Sequence, residues 1–265
     1  MHYQYPFGQE VRRLVQDDQT PKKVFVLGVY ASAVHARWIR DGKTVCNALA
    51  VASEPRIFWD GNEDEARRII GAIRIPEGVG ELRLPQSNMN GPSAKALDEH
   101  ILAPLGFTRQ DAWLCDLLPE SRLNPAQQKV IEERYNPLIE RYGLNPVTVP
   151  HEDGKFCDEL RRKEITSEIL KSEAETLILL GDMPIRQYLR HVCELDFRNL
   201  REYAQKNGYG TTLPVQIAGK KLNLLPLAHP RQISQLGRSS VAWYVAHRNW
   251  INDRAFRSSP SAMSS

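Results

Sequence analysis

The segment Leu224-Leu225-Pro226-Leu227-Ala228-His229-Pro230-Arg231 ends an apolar run in an imidazole and a guanidinium. Three other apolar runs finish in residues equally unsuited to a core. One leads into Gly28-Val29-Tyr30-Ala31-Ser32, a second into Asp116 and Pro119-Glu120-Ser121-Arg122, and a third into Gly181-Asp182. Imidazole and carboxyl groups can move protons, and guanidinium groups hold anions in a planar fork. In open α/β sheets ligands bind beyond the carboxyl ends of the strands, where loops and helix N-termini present polar groups over a rigid frame. Four such ends side by side would make one pocket.

The elements that must position these residues are readable as alternating patterns. Lys23 to Gly28, Ala112 to Leu118, Thr176 to Gly181 and Leu222 to Ala228 are short continuous apolar runs, the mark of strands buried on both faces. Helical periodicity separates them, most clearly over Ser93 to Leu102, Pro125 to Tyr142, Asp158 to Lys171 and Ser240 to Ile251, several opening on a Ser, Asn or Asp in the capping position. Strand and helix in alternation predict an α/β fold, a three-layer α/β/α sandwich around a central four-stranded parallel sheet. Val45 to Pro85 predicts a small hairpin and a helix at the rim, and Val215 to Leu224 a hairpin turning at Ala218-Gly219-Lys220. Residues 1–257 read as a single domain, and the Ser-rich stretch 258–265 as a disordered tail.

The 265-residue chain is 42% hydrophobic and 25% charged, enough apolar material for a full core. It has no run of about 18 apolar residues, so no membrane span is expected, and no apolar signal segment at its start, so it reads as cytoplasmic. The four cysteines form no close pair, which argues against a metal or redox C-x-x-C site and against a disulfide framework. No metal and no cofactor are expected, and the chain reads as a monomer. A net charge of +3 permits nucleic-acid binding without demanding it.

A second polar loop, Asn88-Met89-Asn90-Gly91-Pro92-Ser93, precedes the helix that carries Asp98; its Gly and Pro permit close backbone approach, and Ser93 can cap that helix. The order of these features resembles the uracil-DNA glycosylase superfamily: Gly28 to His35 after the first strand, Gly91-Pro92-Ser93-Ala94-Lys95-Ala96-Leu97-Asp98 opening a helix, Trp113-Leu114-Cys115-Asp116, Leu177-Ile178-Leu179-Leu180-Gly181, and His229-Pro230-Arg231 with a following Leu236-Gly237. The likeness spans Lys23 to Trp250. It implies an enzyme of the DNA-repair type that flips a damaged or deaminated base out of DNA and hydrolyses its N-glycosidic bond. His229 then donates to the leaving base, Asp116 reads the base or activates water, and Gly28, Tyr30 and Ser32 line the base pocket, with Tyr30 as its stacking platform. Arg231-Gln232-Ile233-Ser234-Gln235-Leu236 corresponds to the segment that enters the minor groove, Ile233 or Leu236 serving as wedge; Arg231, Arg238 and Arg248 then lie close to phosphates, and Ser239 joins the DNA-binding set. His35, Arg37 and Ser93 fall where helix N-terminal amides would favour a DNA phosphate. DNA is the implied partner, with no membrane partner.

The chain departs from the family pattern at two places. Tyr30, Ala31 and Ser32 stand where a polar or acidic residue usually handles water, and Asp116 stands where an asparagine usually reads the base. An ionised carboxylate only accepts hydrogen bonds, so uracil is a poor match and a base with an exocyclic amino group a better one; burial that keeps the acid protonated would let it donate again. The missing carboxylate leaves open a non-catalytic nucleic-acid or nucleobase-binding module of the same fold. An enzyme acting on free nucleosides is a third option. Trp243, His247 and Trp250 share one helical face that should pack on the sheet with His247 hydrogen-bonded inside, Ser239 or Ser240 should cap that helix, and Glu54, Trp59 and Asp60 are further pocket candidates.

Overall fold

The computed structural model describes residues 2–235 and 240–257. In chain order its strands and α-helices are β1 (Val24–Tyr30), β2 (Ala33–Arg40), β3 (Lys43–Ser53), α1 (Glu63–Gly71), β4 (Glu81–Arg83), α2 (Pro92–Leu97), β5 (Ala112–Leu118), α3 (Pro125–Val130), α4 (Ile139–Tyr142), α5 (Glu159–Lys171), β6 (Thr176–Leu180), α6 (Asp182–Pro184), α7 (Arg190–Val192), α8 (Leu200–Asn207), β7 (Leu213–Ile217), β8 (Lys220–Leu227), α9 (Pro230–Ile233) and α10 (Ser240–Arg257). The predicted 258–265 tail lies outside the described residues, as do Leu236, Arg238 and Ser239.

The chain divides into two compact units, each assembled from separated segments. The unit built from Gln16–Val29, Ser93–Leu117 and the residues from Phe156 onward is α/β. Its sheet runs β5-β1-β6-β8-β7. β1 pairs parallel with β6, and β6 with β8. All four apolar runs are strands, and burial is continuous over Val24–Gly28, Ala112–Leu117, Leu177–Leu180 and Leu224–Leu227, as a strand covered on both faces requires, with Asn223 in the first half of β8 exposed. The sheet has five strands, not the predicted four. The fifth, β7, is the antiparallel half of the hairpin that turns at Ala218-Gly219, and its exposed and half-buried residues mark a one-sided edge that periodicity registers weakly.

The other unit comprises the segment ending at Val15 together with Tyr30–Pro92 and Leu118–Lys155. The stretch after Ser32 is a strand, not a helix: β2 pairs antiparallel with β3 on one side and with β4 on the other. Val34, Ala36 and Trp38 are buried while His35 and Arg37 are only half-buried, a period of two that suits a strand and defeats an amphipathic helix. The expected hairpin is therefore part of a three-stranded sheet, with α1 following it. Trp38, Tyr5, Trp59, Leu49 and Tyr135 centre its core, and the Trp38 indole donates to the Val79 carbonyl at 2.9 Å.

The Asn88 to Ser93 loop belongs to this packing. Gly61 and Gly91 both have positive φ (75° and 70°), and a Cβ on Gly91 would lie 2.1 Å from the Asp60 carbonyl carbon. The close approach predicted for a ligand is thus made by the chain's own backbone. Asn90 completes the joint, accepting from the His35 N–H at 2.8 Å and donating to the His35 carbonyl at 3.1 Å. Gly91→Ala is expected to lower stability by more than about 1 kcal/mol, read as a drop in the urea midpoint, because alanine meets both the strained φ and the neighbouring backbone.

Candidate functional site

The α/β unit has a topological switch. After β1 the next parallel strand is β5, on one side; after β6 it is β8, on the other. In open α/β sheets a switch of this kind is where ligands are commonly held. Asp116 lies within β5, and His229 directly follows β8. Three strand spacings separate β5 from β8, about 14 Å between axes.

His229 follows β8 and caps α9. Its Nδ1 accepts the Arg231 N–H at 3.2 Å, and its own N–H donates to the Gln232 side chain at 3.1 Å, a reciprocal capping box. Burial first, and the Arg231 charge second, push the imidazole down to about 4, so it is neutral at physiological pH. A neutral ring whose Nδ1 is an acceptor carries its proton on Nε2. The tip of His229 is therefore a fixed hydrogen-bond donor. Gly181, at φ 84°, makes room beside it: a Cβ there would stand 3.2 Å from the His229 Cβ.

A hydroxyl relay holds the residue before it. The Ala228 N–H donates to Tyr209 Oη at 3.0 Å, Tyr209 lies 2.7 Å from His247 Nδ1, and His247 Nε2 donates to the His100 carbonyl at 2.8 Å. His247 is buried, and burial pushes its imidazole to about 4, so the neutral ring accepts from the tyrosine hydroxyl. The predicted inward-facing, hydrogen-bonded His247 is what the structure shows, and Trp250 beside it donates to the Gly210 carbonyl. Tyr209→Phe strands a buried N–H and an imidazole nitrogen, so it is expected to cost about 1–3 kcal/mol in chemical denaturation.

Asp116 is 4% exposed near the end of β5. Desolvation pushes its carboxyl up to about 7; Arg161 opposes this and Glu168 adds to it. Among the described residues no group hydrogen-bonds the carboxyl, whereas the backbone around it is pinned. Arg161 of α5 donates to the Asp116 carbonyl at 2.8 Å, the Leu117 carbonyl at 3.3 Å and Cys115 Sγ at 3.0 Å, and pairs with Glu164 and Glu168. Sequence reasoning misses Arg161, Tyr209 and Gln232. The spacing of Arg161, Glu164 and Glu168 on one helical face is the signal that could reveal a buried, compensated arginine.

The remaining predicted residues divide. Gly28 is a buried residue within β1, which continues to Tyr30, so the first-strand loop is only Ala31-Ser32 before β2 begins. Tyr30 is half-buried, and Ser32 is exposed, its carbonyl accepting from Ser121 Oγ at 2.7 Å. His35 and Arg37 lie within β2, so no helix N-terminus serves them. Ser93 is the second residue of α2 rather than its cap. Arg231 is exposed, but Ile233 is buried at 3% and belongs to the core, so it is not the predicted wedge: an apolar side chain on a one-turn helix is stabilised by burial. Trp59 and Asp60 are structural: the Trp59 indole donates to Glu65 at 2.7 Å and Asp60 pairs with Arg56. Glu54 is buried, its carbonyl accepting from Arg12.

No protein-family model matches the chain, and no curated protein matches it. The site must speak through its own chemistry. Among the described residues no three His, Cys, Asp or Glu side chains are placed to hold a metal ion, and no helix is long and apolar enough to cross a membrane. His229 is a fixed neutral donor, and Asp116 is a carboxyl half-ionised near pH 7. A donor of this kind can stabilise developing negative charge, and a carboxyl in this range can take or give a proton near neutral pH.

Proposed function

We propose that the chain is a DNA N-glycosylase of the uracil-DNA glycosylase type, with a three-layer α/β/α fold, acting on a base flipped out of the helix. The observation that carries this reading is the His229 tautomer. Cleavage of an N-glycosidic bond puts negative charge on the departing base, and a neutral imidazole with its proton locked on Nε2 donates to that charge without carrying a competing positive charge of its own.

Asp116 supports the same reading. With its carboxyl near 7, Asp116 accepts from an exocyclic amino group when ionised and donates to a carbonyl oxygen when protonated. In this scheme Arg231 engages the strand.

Duplexes carrying single deaminated or alkylated bases test the proposal: abasic sites, revealed by alkali, are expected for at least one base. Binding without cleavage would favour the non-catalytic module, a reading that the Tyr30-Ala31-Ser32 segment, without a carboxylate, keeps in view. Cleavage of free nucleosides alone would move the substrate away from DNA.

A further inference from the structure

The unit that contains the three-stranded sheet carries a basic groove of about 400 Å³ between α1 and the β2–β4 pair. Arg37 of β2, Arg67 of α1 and Arg83 of β4 line it, over a floor of Ile70, Leu82 and Leu84. Arg37 and Arg83 are direct cross-strand partners. Like charges set opposite one another weaken an antiparallel pair, so this register is unfavourable unless something anionic lies across it. Among the described residues the buried Arg37 Nε has no hydrogen-bond partner, and neither Arg37 nor Arg67 forms an ion pair. Glu81 meets Arg83 at 2.5 Å, but both are more than 45% exposed and such pairs hold weakly.

We infer that this groove binds a phosphate group, with Arg37 and Arg83 gripping its oxygens and Arg67 closing from the helix. Guanidinium forks match phosphate oxygens two at a time, and the aliphatic floor suits the sugar face that accompanies a phosphodiester. The phosphate comes from a nucleic-acid strand or from a free phosphate monoester. The strand source rests on the DNA reading above; the phosphate chemistry does not.

The test uses the full chain and the variant Arg37→Gln/Arg67→Gln/Arg83→Gln, with Arg67→Gln/Arg83→Gln as a second variant because both of those side chains are exposed and can change without touching the core. Circular dichroism checks that each is folded. Anisotropy of a labelled lesion-free 12-mer is expected to show at least tenfold weaker binding in both variants, and a log–log salt slope shallower by about 0.7–0.9 for each phosphate no longer neutralised. Arg37→Lys, which keeps charge but not the fork, should fall between. Equal oligonucleotide affinity in wild type and variants overturns the groove while leaving the glycosylase reading to its own assay. Binding of deoxynucleoside monophosphate or inorganic phosphate, seen by phosphorus NMR broadening and abolished in the variants, without oligonucleotide binding, supports the site and removes the strand as its source. A wild-type chain that binds none of these overturns the inference.

Discussion

His229→Ala is expected to lower the single-turnover rate of abasic-site formation by about 10²–10³, the loss typical of removing one preorganised donor to a developing anion. Binding of lesion-bearing DNA should change little, because the donor matters most once the base carries charge. The substitution also removes the acceptor that caps α9, worth about 1 kcal/mol, so stability is measured in parallel and the rates compared on folded protein. Since the imidazole sits near 4, the rate of Asp116→Asn, whose side chain does not titrate, should show no inflexion at the usual histidine pH of about 6.5. An inflexion there would mean that the ring titrates freely and that the capping hydrogen bond does not fix its proton.

The second large effect belongs to Asp116. Its folded-state carboxyl is raised from 3.8 to about 7, so its contribution to stability is intact below the unfolded value and is lost as pH climbs through about 7. Asparagine in its place does not titrate. The stability gap in favour of Asp116→Asn should therefore grow between pH 4 and pH 8 by an amount on the order of 4 kcal/mol, at roughly 1.4 kcal/mol for each pH unit separating the two values. Urea unfolding at both pH values reads this directly, and a constant gap would show that the carboxyl is not desolvated in the folded chain. The same titration should govern substrate choice. Activity on amino-bearing bases relative to uracil should rise with pH through about 7 in the wild type, and Asp116→Asn should flatten that dependence and shift preference toward uracil.

The four parallel strands are legible because a strand buried on both faces must be apolar throughout, and KVFVLG, AWLCDLL, TLILLG and LNLLPLA are. His229 and Asp116 stand out for a related reason: polar groups that end such runs have no place in a core. β2 resists reading because Ala-Val-His-Ala-Arg-Trp-Ile-Arg begins with two adjacent apolar residues, and only the later alternation of charged and apolar positions reveals the strand. β4 is three residues long and offers no pattern to read. The groups that tune the site are out of reach for another reason. Arg161 lies 45 positions from Asp116, and Tyr209 38 positions from His247, so their contacts depend on tertiary packing rather than on local periodicity. Ile233 shows the converse hazard, since an apolar side chain in a basic loop suits a wedge or a core equally well, and here it is core.

Central to the proposed chemistry is that Asp116 and His229 serve one base. A double-mutant cycle on abasic-site formation at pH 7, with wild type, His229→Ala, Asp116→Asn and the double variant on the base cleaved fastest, tests this most directly. The expected result is a double variant little slower than the worse of the two single variants, because groups that act on the same leaving base fail together. A double variant slower by the full product of the two single effects would contradict the shared site, and a wild-type chain that releases no base from any duplex would contradict the proposed chemistry itself.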